Sequence, residues 1–151
     1  MLSHGCDAMR SLALMIVVAL CSSVGCSDPT EPVELWLRVE PTQVRYAPGD
    51  SVNLVISNIG AAPIGTSACG SSIERLDGGR WVDLGPSDGN CGDVSFLIDV
   101  GQSRVLSAGV LPRSLEAGTY RFRIPDARTA QGPLQIVPDS QLASAPLLVE
   151  P

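Results

Sequence analysis

The sequence contains one histidine, and its position determines whether the protein could use a serine or cysteine nucleophile. This histidine, His4, precedes an apolar run at residues 12–21 that is typical of a signal peptide. Removal of the signal peptide would remove His4 as well. A serine or cysteine nucleophile needs a general base beside it, most often a histidine. Because the mature chain would hold no histidine, we predict that the protein is not an enzyme.

Acidic residues offer two further kinds of chemistry, glycoside cleavage and metal binding. Any two carboxylates could meet as a catalytic pair in the fold, but no spacing singles out such a pair. The segment Asp88-Gly-Asn-Cys-Gly-Asp93 brings oxygen ligands close together, loosely as in a calcium site, without the bidentate acid of the helix-loop-helix pattern. Asp, Asn and Gly are also the ordinary residues of turns. We predict a turn here, with no metal and no cofactor.

The amino-terminal region has the three parts of a secretory signal. Its apolar run, residues 12–21, is too short to cross a bilayer, since a spanning helix takes about 20 apolar residues. Arg10 precedes the run, and small residues follow it up to Cys26. This arrangement predicts a cleaved export signal, and Met9 is a better start for it than Met1.

Gly25 and Cys26, at the end of this signal, resemble the lipobox of bacterial lipoproteins. In that family the signal is cut just before the cysteine, whose thiol carries a diacylglycerol. The resemblance implies a signal peptide over residues 1–25, an acylated Cys26 and a partner in the lipid bilayer. Ser27 follows the cysteine, which by the sorting behaviour of lipoproteins implies the outer membrane of the cell envelope. The alternative is an ordinary secreted protein with Cys26 as a spare thiol.

The remaining cysteines predict one disulfide. Residues 26–32 are polar and Pro-rich, which is typical of an extended tether, and residues 33–151 would form the exported domain. Cleavage and acylation would account for three of the five cysteines and leave Cys69 and Cys91. A single pair in an exported domain favours a disulfide, which would stabilise the fold by about 3 kcal/mol through lost chain entropy.

Aliphatic and polar residues alternate in short segments from residue 33 onward, a pattern typical of strands with one buried face. The predicted strands cover residues 33–40, 44–46, 51–58, 64–66, 73–76, 80–84, 94–98, 105–111, 118–124, 134–137 and 147–149. Asp77-Gly78-Gly79 supplies the tight turn of a hairpin. No segment has a sustained 3.6-residue period. We therefore predict an all-β domain that closes as a two-sheet sandwich of about seven to nine strands.

The two tryptophans fall on different parts of this pattern. Trp36 takes the outward register of the first strand, so it is a candidate for a binding surface. Trp81 follows the hairpin turn, where we expect cross-strand packing. Charged residues make up 17% of the chain, which is too few for disorder, and the net charge of −6 argues against nucleic acid as a partner.

Three motifs follow one another in an order that resembles bacterial immunoglobulin-like domains of secreted and lipid-anchored proteins. Residues 46–58, YAPGDSVNLVISN, are similar to the opening of such domains, and the hairpin at 76–82 matches their middle. Gly118 and Tyr120 are similar to the tyrosine corner of the immunoglobulin sandwich. The resemblance covers about residues 33–150 and implies a Greek-key immunoglobulin-like β-sandwich.

The sequence differs from antibody domains at the two positions that hold their inter-sheet disulfide. Antibody-type domains pin their two sheets with a disulfide, whereas the matching inner positions here hold Leu54 and Phe122. The resemblance implies a non-catalytic module for binding or envelope structure, with an unidentified protein or glycan as its partner. The alternative is a proteinase inhibitor, because the same motif order is also similar to a bacterial inhibitor family with an immunoglobulin-like sandwich.

Overall fold

Short β-strands form the framework of the protein. The computed structural model describes Glu34 and residues 36–87 and 95–151, which lie in one compact unit spanning residues 32–151. The strands are β1 (Leu37–Pro41), β2 (Arg45–Tyr46), β3 (Ser51–Asn58), β4 (Ile64–Thr66), β5 (Ser72–Asp77), β6 (Arg80–Pro86), β7 (Phe96–Ile98), β8 (Ser103–Val110), β9 (Gly118–Arg123), β10 (Ala127–Thr129) and β11 (Leu147–Val149). A turn of 3₁₀ helix, Asp139–Gln141, precedes the last strand. The prediction of an all-β protein is confirmed.

The strands are arranged in three sheets. The first has the order β1-β3-β8, the second has the order β2-β11-β9-β5-β6, and the third is a small sheet with the order β10-β4-β7. Neighbouring strands are antiparallel except β11 and β2, which pair in parallel. Strands β3 and β9 therefore lie in different sheets, although both carry the most buried side chains of the domain.

The buried faces of all three sheets contribute to one apolar core. In β3 every second residue is buried, and Val52, Leu54 and Ile56 have no exposed surface. Tyr120 and Phe122 do the same for β9. Because fully burying such a side chain stabilises a fold by about 1.5–3 kcal/mol, these alternating positions fix the register of each strand.

Two turns explain why the sequence motifs contain glycine and asparagine. Gly78 and Gly79 both have positive φ values, 53° and 81°, which is the geometry of a two-residue hairpin turn of type I′. Asn58, which ends β3, is fully buried, and its Nδ2 donates to the carbonyl oxygens of Ala62 and Ile98 at 2.8 and 3.0 Å. The buried amide thereby holds the turn after β3 against β7.

The structure corrects three details of the strand pattern. Residues 134–137 do not form a strand: their pairing with β10 is a single isolated bridge between Ile136 and Arg128, and of their apolar residues only Val137 is buried. β10 itself was not predicted, since only one of its three residues, Ala127, is apolar. The described residues contain eleven strands rather than seven to nine, because several have only two or three residues.

Candidate functional site

The predicted site residues fall partly within the described ranges. Cys26, Cys91 and the turn at residues 88–93 lie outside them. Cys69 is half-buried after β4, its amide donates to Ser67 Oγ at 3.0 Å, and it is disulfide-bonded. The assignment of Cys91 as its partner stays a prediction.

Trp36 precedes β1 and is 47% exposed, as its outward register predicts. Its carbonyl oxygen accepts a hydrogen bond from the amide of Ile59 at 3.0 Å, which places the two residues opposite each other beyond the last registered pair of β1 and β3. Ile59 is also exposed, at 50%. Trp36 is therefore part of an apolar pair at one end of the three-stranded sheet. Its role in binding stays a prediction.

The outer face of the five-stranded sheet holds a cluster that sequence analysis did not assemble. We call it the Arg–Trp cluster and define it as Glu74 on β5, Trp81 on β6, and Arg121 and Arg123 on β9. In the register of the sheet Glu74 lies directly opposite Arg121. Their alternation with the buried residues Ile73 and Phe122 directs all four cluster side chains away from the core.

Glu74 is a nearly buried carboxylate that two guanidinium groups cover. Its Oε1 accepts from Arg123 Nε at 2.7 Å, and its Oε2 accepts from Arg121 Nε. Only 9% of the Glu74 side chain is exposed. The carboxylate therefore has a hydrogen-bonded cation at each oxygen and little contact with water.

The charge state of Glu74 follows from these contacts. Burial alone would raise the pKa of Glu74, but the hydrogen bonds from Arg123 and Arg121 and their positive charges together lower it below its ordinary value. The carboxylate is consequently ionised throughout the neutral range and keeps both arginines in place.

Arg121 makes a second contact that fixes its position. Its guanidinium carbon lies 4.3 Å from the centre of the Trp81 ring, which is a cation–π distance. Trp81 is opposite Leu76 in the hairpin, so Arg121 reaches across β5 to meet it. The cross-strand packing expected for Trp81 therefore involves a third strand as well.

Arg123 connects the same cluster to the rest of the domain. Besides Glu74, its Nη1 donates to the carbonyl oxygen of Asp139 in the 3₁₀ turn at 3.0 Å. The cluster is thus a rigid surface on three neighbouring strands, with one aromatic ring and two cations in defined positions. Such a surface can recognise a partner, and it contains no group placed to act as a nucleophile or general base.

The sequence contained part of the signal for this cluster. Alternation in the predicted strand at 118–124 puts Arg121 and Arg123 on its outer face, but Glu74 is 47 positions away from Arg121 in the chain. Only the pairing of β5 with β9 brings them together. Alternation within a strand predicts which face a residue takes and gives no information about the strand beside it.

The tyrosine corner suggested by the sequence can be examined directly at Tyr120. This side chain is fully buried, and its hydroxyl donates to the carbonyl oxygen of Glu116 at 2.8 Å. A Cβ added at Gly118 would lie 3.3 Å from the ring carbon Cε2 of Tyr120. Glycine therefore leaves the room that the ring needs.

The described residues offer neither a metal site nor a membrane-spanning helix. Among the described residues no group of three His, Cys, Asp or Glu side chains is arranged to hold a metal ion. The described residues also include no helix with the length and apolar character that crossing a membrane requires.

Comparison with known proteins gives little to set beside this geometry. No protein-family description matches the chain, and no curated protein matches it. One solved structure with a weak likeness is the sporulation control protein Spo0M of Bacillus subtilis, with a TM-score of 0.36 and 12% identity over 78% of this chain and 49% of that one. The chain spans about half the length of Spo0M, and a likeness of this degree carries no argument about fold or function.

Proposed function

We propose that this protein is an exported lipoprotein whose immunoglobulin-like domain binds a protein partner in the bacterial cell envelope. The domain is non-catalytic and is held at the outer membrane by acylated Cys26. The partner contacts the outer face of the five-stranded sheet. The single observation that carries the binding role is the Arg–Trp cluster.

Three features of the fold support the immunoglobulin-like assignment. The hydroxyl of Tyr120 bonds to the backbone four residues upstream, as in a tyrosine corner. Leu54 and Phe122, at the positions of the antibody disulfide, are buried on strands of different sheets. The large sheet also pairs its first and last strands in parallel. We infer a Greek-key sandwich in which β1-β3-β8 faces the five-stranded sheet.

The Arg–Trp cluster supports binding because its side chains are held in fixed positions that the stability of the fold does not require. A buried ion pair is weak evidence for stability, since apolar residues of the same volume often stabilise a fold as well. Its use here is positional: Glu74 holds Arg121 over Trp81 before any partner arrives. Tryptophan and arginine are the residues most enriched in binding hot spots, and groups that are already ordered lose less entropy on binding.

The chemistry of the cluster favours a protein over a glycan as the partner. Sugars stack on an open aromatic ring, whereas the guanidinium of Arg121 already lies over one face of Trp81. Two arginines share one glutamate, so the cluster has one excess positive charge on a chain whose net charge is −6. An acidic surface on the partner would complement it.

The anchor and the disulfide complete the proposal. Acylation at Cys26 with several acyl chains would give stable attachment, at about 0.8 kcal/mol per buried CH₂. We propose that Cys69 pairs with Cys91, which restrains the segment between β4 and β7. Mass spectrometry of the mature protein tests both, through the mass of its first peptide and the peptides joined without reduction.

Site-specific crosslinking tests the binding face. A photoreactive phenylalanine analogue at Leu76, which lies opposite Trp81 and is 39% exposed, should give a discrete crosslinked protein in intact cells. The matched control places the analogue at Val105, which lies on β8 in the β1-β3-β8 sheet and is 62% exposed. Equal products at both positions, or none at Leu76, would contradict the proposed face.

The same experiment separates the inhibitor hypothesis. If the crosslinked protein is a serine protease, titration of purified protein against that protease should abolish its activity. A partner that is not a protease, or a protease that keeps its activity, leaves the binding module as the function.

A further inference from the structure

We propose that the end of the domain where the tether enters lies against the bilayer, with Trp36 and Ile59 in the interfacial layer of the lipid. This inference rests on the proposed anchor at Cys26. It adds a second, non-covalent membrane contact, formed by the folded domain itself, and it assigns a ligand to the exposed Trp36.

The two side chains belong to one small surface. Ile59 donates its backbone amide to the carbonyl oxygen of Trp36 at 3.0 Å, and Ala61 donates to that of Glu34 at the same distance. The chain before β1 therefore continues the pairing with the segment after β3. Directly opposite residues of an antiparallel pair present their side chains on the same face, so Trp36 and Ile59 are neighbours there.

A third apolar residue lies at the same end of the sheet. Asn58, next to Ile59, accepts a hydrogen bond from the amide of Gly101 at 2.9 Å and donates its own amide to Gln102 at 2.9 Å. Val100 precedes Gly101 in this turn and is 48% exposed. Tryptophan, isoleucine and valine thus share the end of the domain that receives the chain from Cys26.

The length of chain between the anchor and this surface selects the bilayer as its occupant. Trp36 is ten positions after Cys26 in the sequence. Ten residues reach about 36 Å when fully extended, and about 31 Å at the rise per residue of a Pro-rich extended segment. An acylated Cys26 would therefore keep this end of the domain closer to the lipid than any other, at a high effective concentration.

The residue types suit the interface of a bilayer. A tryptophan ring has an apolar body and a polar N–H, and this is why tryptophan is enriched where hydrocarbon meets headgroups. Glu34 and Asp99 add exposed negative charge near the surface, and Arg38 and Arg104 add exposed positive charge. This balanced setting fits a zwitterionic lipid surface better than an anionic one.

Fluorescence quenching by lipid tests the inference on the full, processed chain. The protein has two tryptophans, so the variant Trp81→Phe leaves Trp36 as the one emitter, and Trp36→Phe leaves Trp81 as the matched control. Each is reconstituted into phosphatidylcholine vesicles with or without bromine on the acyl chains. Vesicle flotation and the mass of the first peptide report the anchor independently, and circular dichroism reports folding.

The expected result is that bromine lowers the emission of Trp36 about twofold or more and leaves that of Trp81 unchanged, because only an interfacial ring comes within contact range of the acyl chains. Ile59→Glu should weaken the quenching of Trp36. Flotation of acylated protein with unquenched Trp36 would overturn the inference and leave the anchor standing. Protein that is not acylated and does not float would overturn the anchor, and with it the inference.

Discussion

The outer faces of the two larger sheets have different chemistry. The five-stranded sheet carries the Arg–Trp cluster, in which every charged group has a partner. The outer face of the β1-β3-β8 sheet instead has Val55 opposite Val105 and Ser57 opposite Ser103, whose hydroxyl oxygens are 2.8 Å apart, and its charged residues, Arg38 and Glu40 on β1, are exposed. The central strands of the two sheets, β3 and β9, both have fully buried inner residues.

This difference distinguishes the residues that hold the strands together from those that the proposed partner would contact. Alternation with a buried face is enough to hold β3 and β8 in a sheet, since serine and valine on the outside suffice there. The ordered ions on β5 and β9 are not required by the strand pairing. Under the proposed function they mark the face on which substitutions should affect recognition as well as stability.

Substitutions on the inner faces of the two sheets should cause similar losses of stability, and these are the largest losses we expect. Leu54→Ala on β3 and Phe122→Ala on β9 should each lower the free energy of unfolding, by about 2–5 and about 3–5 kcal/mol respectively, because each leaves a cavity in the core. Urea unfolding of the oxidised domain, followed by far-UV circular dichroism, measures both. Two separate transitions in either variant would show that the sheets do not share one core.

The outer face of the five-stranded sheet should give an intermediate effect. Glu74→Gln should lower the free energy of unfolding at neutral pH by about 2–3 kcal/mol, because Arg121 and Arg123 lose the ion that partners them in a sparsely solvated place. Asp83→Asn is the matched control, since Asp83 lies opposite Glu74 on β6 but is exposed. That control should change stability by less than about 0.5 kcal/mol.

The effect of Glu74 should depend on pH in one direction. Its pKa is lower in the folded protein than the value of 4.5 expected for the unfolded chain. The ionised carboxylate therefore contributes its full stability above that value, and the contribution is lost as the pH falls through the folded-state pKa. The difference between wild type and Glu74→Gln should shrink on acidification. A difference that stays constant from neutral pH to about pH 3 would contradict the ion cluster.

Local signals in the sequence predicted the fold where the fold is local. The bounds of β4, the glycine turn at Gly78 and Gly79, and the inward positions Tyr120 and Phe122 all follow from alternation or from backbone conformations that glycine adopts easily. Residues 134–137 misled the prediction, since of their three apolar residues only Val137 is buried, whereas Leu134 and Ile136 are exposed.

The candidate site was beyond prediction for a different reason. Its partners come from three strands, and their contact depends on the order β9-β5-β6 in the sheet. That order is set by the packing of the whole domain, and neither Glu74 nor Trp81 carries a local signature of it. Trp36 could be recognised because its outward register is a property of one strand.

The smallest change in the free energy of unfolding is expected on the outer face of the β1-β3-β8 sheet, where it can be compared with the same exchange on the inner face. Val105→Thr should change the free energy of unfolding by less than about 0.5 kcal/mol, because the side chain is mostly exposed and both residues suit a strand. The same exchange on the inner face, Val52→Thr, should cost about 1–3 kcal/mol, since Val52 has no exposed surface and a hydroxyl there would be buried. Val52 and Val105 lie on paired strands, so one chemical change reports on two faces of a single sheet. Urea unfolding of both variants measures the contrast. A loss of more than about 1 kcal/mol for Val105→Thr would mean that this face is covered rather than open to solvent.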